Sequence, residues 1–237
     1  MENLNYQLEP LTEEKKPIPK ITYFTVSFLL LGWPLISLLM MSGDSAQNHS
    51  FKSLSYQIYL PTIITEWLLF FLILLTVKKE RISLTQIGFR QFNLKNLLIG
   101  FGFVILSNII LVGVAFVVKS FGILPQKDIS FLLPKSISER LFWIFMSASA
   151  ALSEETCFRG YLLTKLNLWI RNSWLIVILS SLSFGMGHLY QGLGGVILTS
   201  VYGLFFAMLF LWRRSLTPCI FAHFIQDSSV VWLQWQM

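Results

Sequence analysis

Residues 172–212 read N-S-W-L-I-V-I-L-S-S-L-S-F-G-M-G-H-L-Y-Q-G-L-G-G-V-I-L-T-S-V-Y-G-L-F-F-A-M-L-F-L-W, and His188 is the one ionisable side chain among them. As a single α-helix this run would extend about 60 Å, twice the hydrocarbon thickness of a bilayer. It therefore has to turn back. The glycine-rich stretch Y-Q-G-L-G-G at 190–195 supplies the break. The segment reads as two membrane spans, the fifth and sixth of the chain, with Arg213 and Arg214 closing the second.

Working outward, the same length argument finds further spans. Residues 21–43 form the first, with Pro34 expected to kink it. Residues 55–77 form the second, carrying Glu66 in the middle, and residues 96–118 the third. A basic loop at 78–95 separates the second and third. Residues 119–140 contain Gly122, Pro125 and Pro134 and read as a loop with room for a short interfacial helix. Span four begins near Leu141 and runs through Ser153 into the polar cluster E-E-T-C-F-R at 154–159; residues 216–235 form span seven. The expected fold is thus all-α, a polytopic bundle of about seven spans with an intramembrane polar cavity. Residues 1–20 are a polar cytoplasmic segment, and 21–237 a single membrane domain with its chemistry in 141–237.

Composition agrees. Of the 237 residues, 54% are hydrophobic and 13% charged, about half the charge of an ordinary soluble domain. The net charge of +6 could suggest nucleic acid, but the cations sit in short blocks between apolar runs, as in cytoplasmic membrane loops. No nucleic-acid partner is expected. With residues 159–171 taken as a cytoplasmic loop, alternate loops hold 13 and 5 Lys and Arg residues, which predicts a cytoplasmic N-terminus and an outside C-terminus in the cell membrane. Trp143, Trp169, Trp174, Trp212, Trp232 and Trp235 lie near span ends, as an interfacial aromatic belt would. Cys157 and Cys219 fall in apolar segments and read as small buried hydrophobes, and His49 as a loop residue.

Against this apolar background the ionisable residues stand out. Glu66, Glu154, Glu155, Arg159, His188, His223 and Asp227 all fall inside or at the edge of spans. Each charge at the bilayer centre costs about 2.5–3.5 kcal/mol even on the lenient insertion scale. Glu155 and Arg159, Phe184 and His188, and His223 and Asp227 are each four residues apart, one helical turn. Glu154 points about 100° away from Glu155 and is free to face something else. Three helices would present a carboxylate and two imidazoles to one another. Each residue also has a plainer reading: Glu155–Arg159 as an ion pair pinning a helix end, His188 as an interfacial histidine, Glu66 as a cavity liner outside the motifs. Phe-Gly-Met-Gly at 184–187 reads as a close helix-packing element.

E-E-x-x-x-R at 154–159, F-x-x-x-H at 184–188 and H-x-x-x-D at 223–227, in that order, resemble the three motifs of the CAAX-protease and bacteriocin-processing (Abi, or CPBP) family of intramembrane endopeptidases. L-T-P-C-I-F-A-H-F at 216–224 resembles the lead-in to the last motif, and T-Q-I-G-F-R at 85–90 a short upstream loop. The resemblance implies that Glu154 and His188 activate a water against a peptide carbonyl. His223 and Asp227 would serve the developing oxyanion, with Glu155, Arg159 and Phe184 in support. It implies a membrane-associated polypeptide substrate in the lipid bilayer and no metal. An ionised aspartate cannot donate a hydrogen bond, so Asp227 is expected to orient His223.

Three alternatives remain open on residue grounds. A proton-coupled transporter would use the same buried acids and histidines, although no inverted repeat is visible. A non-catalytic scaffold or immunity protein would keep the fold alone. Two histidines and a glutamate also resemble a catalytic zinc set, disfavoured because no H-E-x-x-H helix occurs. One geometric tension is left: in ideal straight spans, Glu154 and His223 lie about 10 Å from the cytoplasmic face and His188 about 24 Å.

Overall fold

The computed structural model describes residues 17–42, 54–123 and 132–233, and within them every regular element is helical. The elements are α1 (Lys20–Ser27), α2 (Trp33–Ser42), α3 (Leu60–Glu80), α4 (Leu94–Ser120), α5 (Ile137–Glu154), α6 (Leu163–Trp169), α7 (Ser173–Met186), α8 (Gly192–Arg213) and α9 (Thr217–Leu233). Wider π-helical stretches join some of them: Phe28–Gly32 links α1 to α2, Ser55–Tyr59 leads into α3, and Glu155–Leu162 links α5 to α6. The N-terminal segment 1–16, His49, the interfacial helix expected within 119–140 and Trp235 lie in part or wholly outside the described residues.

Among the described residues, four helical runs are long and apolar enough to cross a membrane: Lys20–Leu39, Ser55–Glu80, Leu94–Ser120 and Leu189–Arg213. The burial pattern shows which solvent they face. In α4 the buried positions are Asn96, Gly100 and Ser107, whereas Leu98, Phe101, Ile105, Ile109, Val112 and Phe116 are exposed. Polar and small residues turn inward to meet other helices, and large apolar ones turn outward, the arrangement a lipid solvent favours. Asn108 and Gln226 accordingly exchange side-chain amide hydrogen bonds between α4 and α9 at 2.6 and 3.3 Å. The protein is an integral membrane protein.

The motif-bearing elements are the shorter or more polar ones, and two expectations about them change. The loop expected at 159–171 is mostly helix: the chain is helical from Ile137 without a break to Trp169, and its side chains are buried from Ser153 through Leu166. This rod is about 50 Å long. A buried polar cluster holds its far part: Glu80 Oε2 pairs with Lys165 Nζ at 2.5 Å, while Tyr161 and Thr22 donate hydroxyl hydrogen bonds to Glu80 Oε1. These partners let a charged, helix-compatible segment stay inside. At the rod's start, Ser136 and Glu139 form a reciprocal cap. Hydrogen bonds from the Ser136 and Lys135 backbone N–H groups hold the Glu139 carboxyl below its ordinary range.

The second change concerns the reversal. The sequence placed it at 190–195, but α7 already ends at Met186, and Gly194 and Gly195 lie inside α8. His188 therefore sits in the break itself and not on the span. Pro34 falls just after the Phe28–Gly32 π-helical stretch, where its missing N–H is absorbed by the changed hydrogen-bond register. Trp169, Trp174 and Trp212 are exposed, as belt residues would be, whereas Trp143 turns inward and donates its indole N–H to the Asp227 carbonyl at 2.9 Å.

Candidate active site

These changes remove the depth mismatch between Glu154 and His188. Counted from the Trp169 end of the rod, Glu154 lies about 22 Å in. Counted from Ser173, which follows directly, His188 also lies about 22 Å in. The mismatch came from ending span four too early.

The Glu155–Leu162 π-helical stretch is the hub, and all eight of its residues are buried. Such stretches widen the helix and redirect side chains, and they occur often at functional sites. Gly160 allows the close approach this packing needs: a β-carbon there would lie 2.7 Å from the Ile87 carbonyl oxygen. Ile87 belongs to the T-Q-I-G-F-R turn, so that upstream loop is packed directly beneath the rod. On the other side, Gly185 brings α7 against α8, where a β-carbon would meet the Ser200 hydroxyl and the Val196 carbonyl. The packing role expected for 184–187 is what the structure has.

Glu155 and Arg159 form an ion pair at 3.0 Å, both essentially without solvent exposure. The guanidinium also lies over the Phe184 ring at 4.2 Å and the Phe206 ring at 5.1 Å. It donates a longer hydrogen bond to the Gly203 carbonyl at 3.4 Å. The same Glu155 Oε1 meets His223 Nδ1 at 2.8 Å. Glu155 is ion-paired and can only accept, so Nδ1 carries the proton and donates.

That fixes the ring. His223 Nε2 then faces two other acids, Asp227 Oδ2 at 3.4 Å and Glu154 Oε2 at 3.8 Å. Glu154 and Glu155 thus reach the two nitrogens of one imidazole from adjacent positions on the rod. The orienting contact expected from Asp227 is made by Glu155, and Asp227 instead lies at the outer nitrogen, with about a third of its side chain exposed.

His188 is anchored in parallel fashion. Its Nδ1 donates to the Phe184 carbonyl at 3.0 Å, which leaves Nε2 as an acceptor. The Phe184 ring lies between the histidines, with ring-centre distances of 5.0 Å to His188 and 6.4 Å to His223. All seven residues singled out from the motifs therefore gather in one place: Glu154, Glu155, Arg159, Phe184, His188, His223 and Asp227.

One acid outside the motifs joins them. Glu66 on α3 is buried beside Ser153 and interacts electrostatically with Glu154, His223 and Asp227. Its mid-span position was the available signal, since a lone acid among apolar residues has to face a polar interior. Cys157 and Cys219 are free and buried, in keeping with the sequence reading. Among the described residues, no group of three or more His, Cys, Asp and Glu side chains is arranged to hold a metal ion.

Residues 136–229 match a protein-family model described as type II CAAX prenyl endopeptidase Rce1-like. This segment runs from the cap of α5 through Asp227 and includes every motif residue of the site. No curated protein and no solved structure gives a significant match to the chain.

Proposed function

From the match of residues 136–229 to the type II CAAX prenyl endopeptidase Rce1-like model, we propose that the protein is an intramembrane endopeptidase in which Glu154 activates a water against a peptide bond of a membrane-associated polypeptide. The observation that carries this reading is the convergence of Glu154, Glu155 and Asp227 on His223 inside an apolar bundle.

In the proposed reaction Glu154 takes a proton from water as the water oxygen bonds to the peptide carbonyl carbon. His188 Nε2 accepts the water's other hydrogen bond and fixes its direction. The carbonyl oxygen becomes an oxyanion and receives the His223 Nε2–H, which in the resting site points to Asp227. Collapse breaks the C–N bond, and the proton held by Glu154 passes to the departing amine. Because Glu155 already accepts Nδ1–H, His223 can donate through Nε2 only in its doubly protonated form. Preformed donors of this kind contribute a few kcal/mol to the barrier. The route as written uses no metal, and the cation distribution of the loops supports a cytoplasmic N-terminus.

The test is a mass-spectrometric comparison of membranes containing wild-type or Glu154→Gln protein. A polypeptide trimmed only with the wild type is the expected result. Identical peptide patterns at equal abundance of the two proteins would overturn the reading.

A further inference from the structure

Glu66 has no part in the reaction above, yet its position is built. Helices α3 and α5 run parallel: the Tyr59 ring meets the Trp143 ring edge-on at 5.5 Å, and Trp67 Nε1 donates to Ser149 Oγ at 3.2 Å. Further along, Tyr161 reaches Glu80 at 2.8 Å. Glu66 is next to Trp67 on α3 and Ser153 lies one turn beyond Ser149 on α5, and Glu66 meets Ser153 with Glu154 beside it. Glu66 is 3% exposed, and its Oε2 is buried without a hydrogen-bond partner among the described residues.

Charge arithmetic shows what Glu66 has to be. Four acids, Glu66, Glu154, Glu155 and Asp227, share the site with Arg159, His188 and His223. Arg159 is committed to Glu155, and His188 has its Nδ1–H committed to a carbonyl. Among the described residues Glu66 has no ion-pair partner; the groups facing it are Glu154 and Cys157 from the rod, His223 and Asp227 from α9, and Tyr190 from the turn after α7. A second buried anion beside Glu154 would have nothing to neutralise it.

We propose that Glu66 is a positioning residue for Glu154: a carboxylic acid that keeps its own proton and holds the base from the α3 side. The inference rests on Glu154 being the base. The proton of Glu66 stays in place throughout, so the water's proton still passes only to Glu154 and then to the amine. Glutamine mimics a protonated carboxyl in shape and can still donate, whereas alanine leaves a gap.

The experiment uses the full chain in lipid nanodiscs. Infrared spectra follow the carboxylic-acid C=O band at neutral pH, and cleavage of the polypeptide found in the membrane comparison is followed against pH. The wild type should show an acid band that Glu66→Gln removes. Glu66→Gln should cleave at close to the wild-type rate at neutral pH and keep the alkaline limb that His223 sets, while Glu66→Ala falls about tenfold or more. A band that persists in Glu66→Gln, or an alanine variant that cleaves as fast as the wild type, would refute the proposal. If the wild type cleaves nothing, the endopeptidase reading falls, and the infrared band alone decides the state of Glu66.

Discussion

Replacing Glu155 by leucine removes a carboxylate that neutralises Arg159 and anchors His223 at the same oxygen, 3.0 and 2.8 Å away. The two losses separate in a double-mutant cycle with Arg159→Met. Either single change strands one buried charge or hydrogen-bonding group, which costs about 3–5 kcal/mol. Arg159→Met also forfeits the guanidinium contacts with Phe184 and Phe206 at 4.2 and 5.1 Å, about 1–2 kcal/mol more where desolvated. For a chain of this size 1 kcal/mol moves the unfolding midpoint by about 2–4 °C. Each single variant should therefore melt at least about 6–12 °C below wild type when followed by tryptophan fluorescence. The double variant places two apolar side chains where the ion pair was and should recover, with a coupling energy of about 2–3 kcal/mol. His223 still lacks its acceptor there, so cleavage should remain down by roughly 10²-fold despite the regained stability. Free energies additive within about 0.5 kcal/mol would refute the pairing. A double variant cleaving like wild type would refute the anchoring role.

Three further outcomes are expected. Gly160→Ala forces a β-carbon to within 2.7 Å of the Ile87 carbonyl and should cost about 1–3 kcal/mol, read as a lower melting midpoint; an unchanged midpoint would mean that the turn at 84–87 does not press on the rod. Asp227→Asn should keep most activity, because its amide oxygen can still meet Nε2, while Asp227→Ala should lose more than tenfold in kcat; an alanine variant as active as wild type would make Asp227 a polar packing residue. Exhaustive chelation should leave cleavage unchanged, and activity lost on chelation but restored by one equivalent of zinc would refute the metal-free route.

The helical membrane fold was legible because length and charge decide it. A run of 41 residues with one ionisable side chain can only be a folded-back pair of spans. What the sequence obscured was the boundary of the polar rod. Arg159, Lys165 and Arg171 were counted as loop charges because charge normally marks a membrane edge. Here Arg159 is neutralised by Glu155 and Lys165 by Glu80, a residue 85 positions away in the chain. A hydropathy reading sees the cost of each charge and not its partner. The same blindness affected Glu66, whose neighbours Ser153 and Glu154 come from α5, and Trp143, whose partner is a backbone carbonyl of α9.

That these side chains meet was legible for a different reason: spacing survives even when boundaries do not. Glu155 and Arg159 pair at four residues apart, and His223 and Asp227 approach at the same interval. What spacing could not supply was which acid meets which nitrogen. Ideal α-helical geometry turns Glu154 away from Glu155, so it leaves Asp227 as the natural orienter of His223. In the folded chain, the helix widens from Glu155 onward, and both glutamates reach the same imidazole. Glu155 takes Nδ1 and leaves Nε2 between Glu154 and Asp227. The division of labour follows from that one change. The fully buried acid is held by arginine and fixes the ring. Among the described residues, Glu154 beside it has no ion-pair partner other than that ring, which is the condition a proton acceptor needs in an apolar interior.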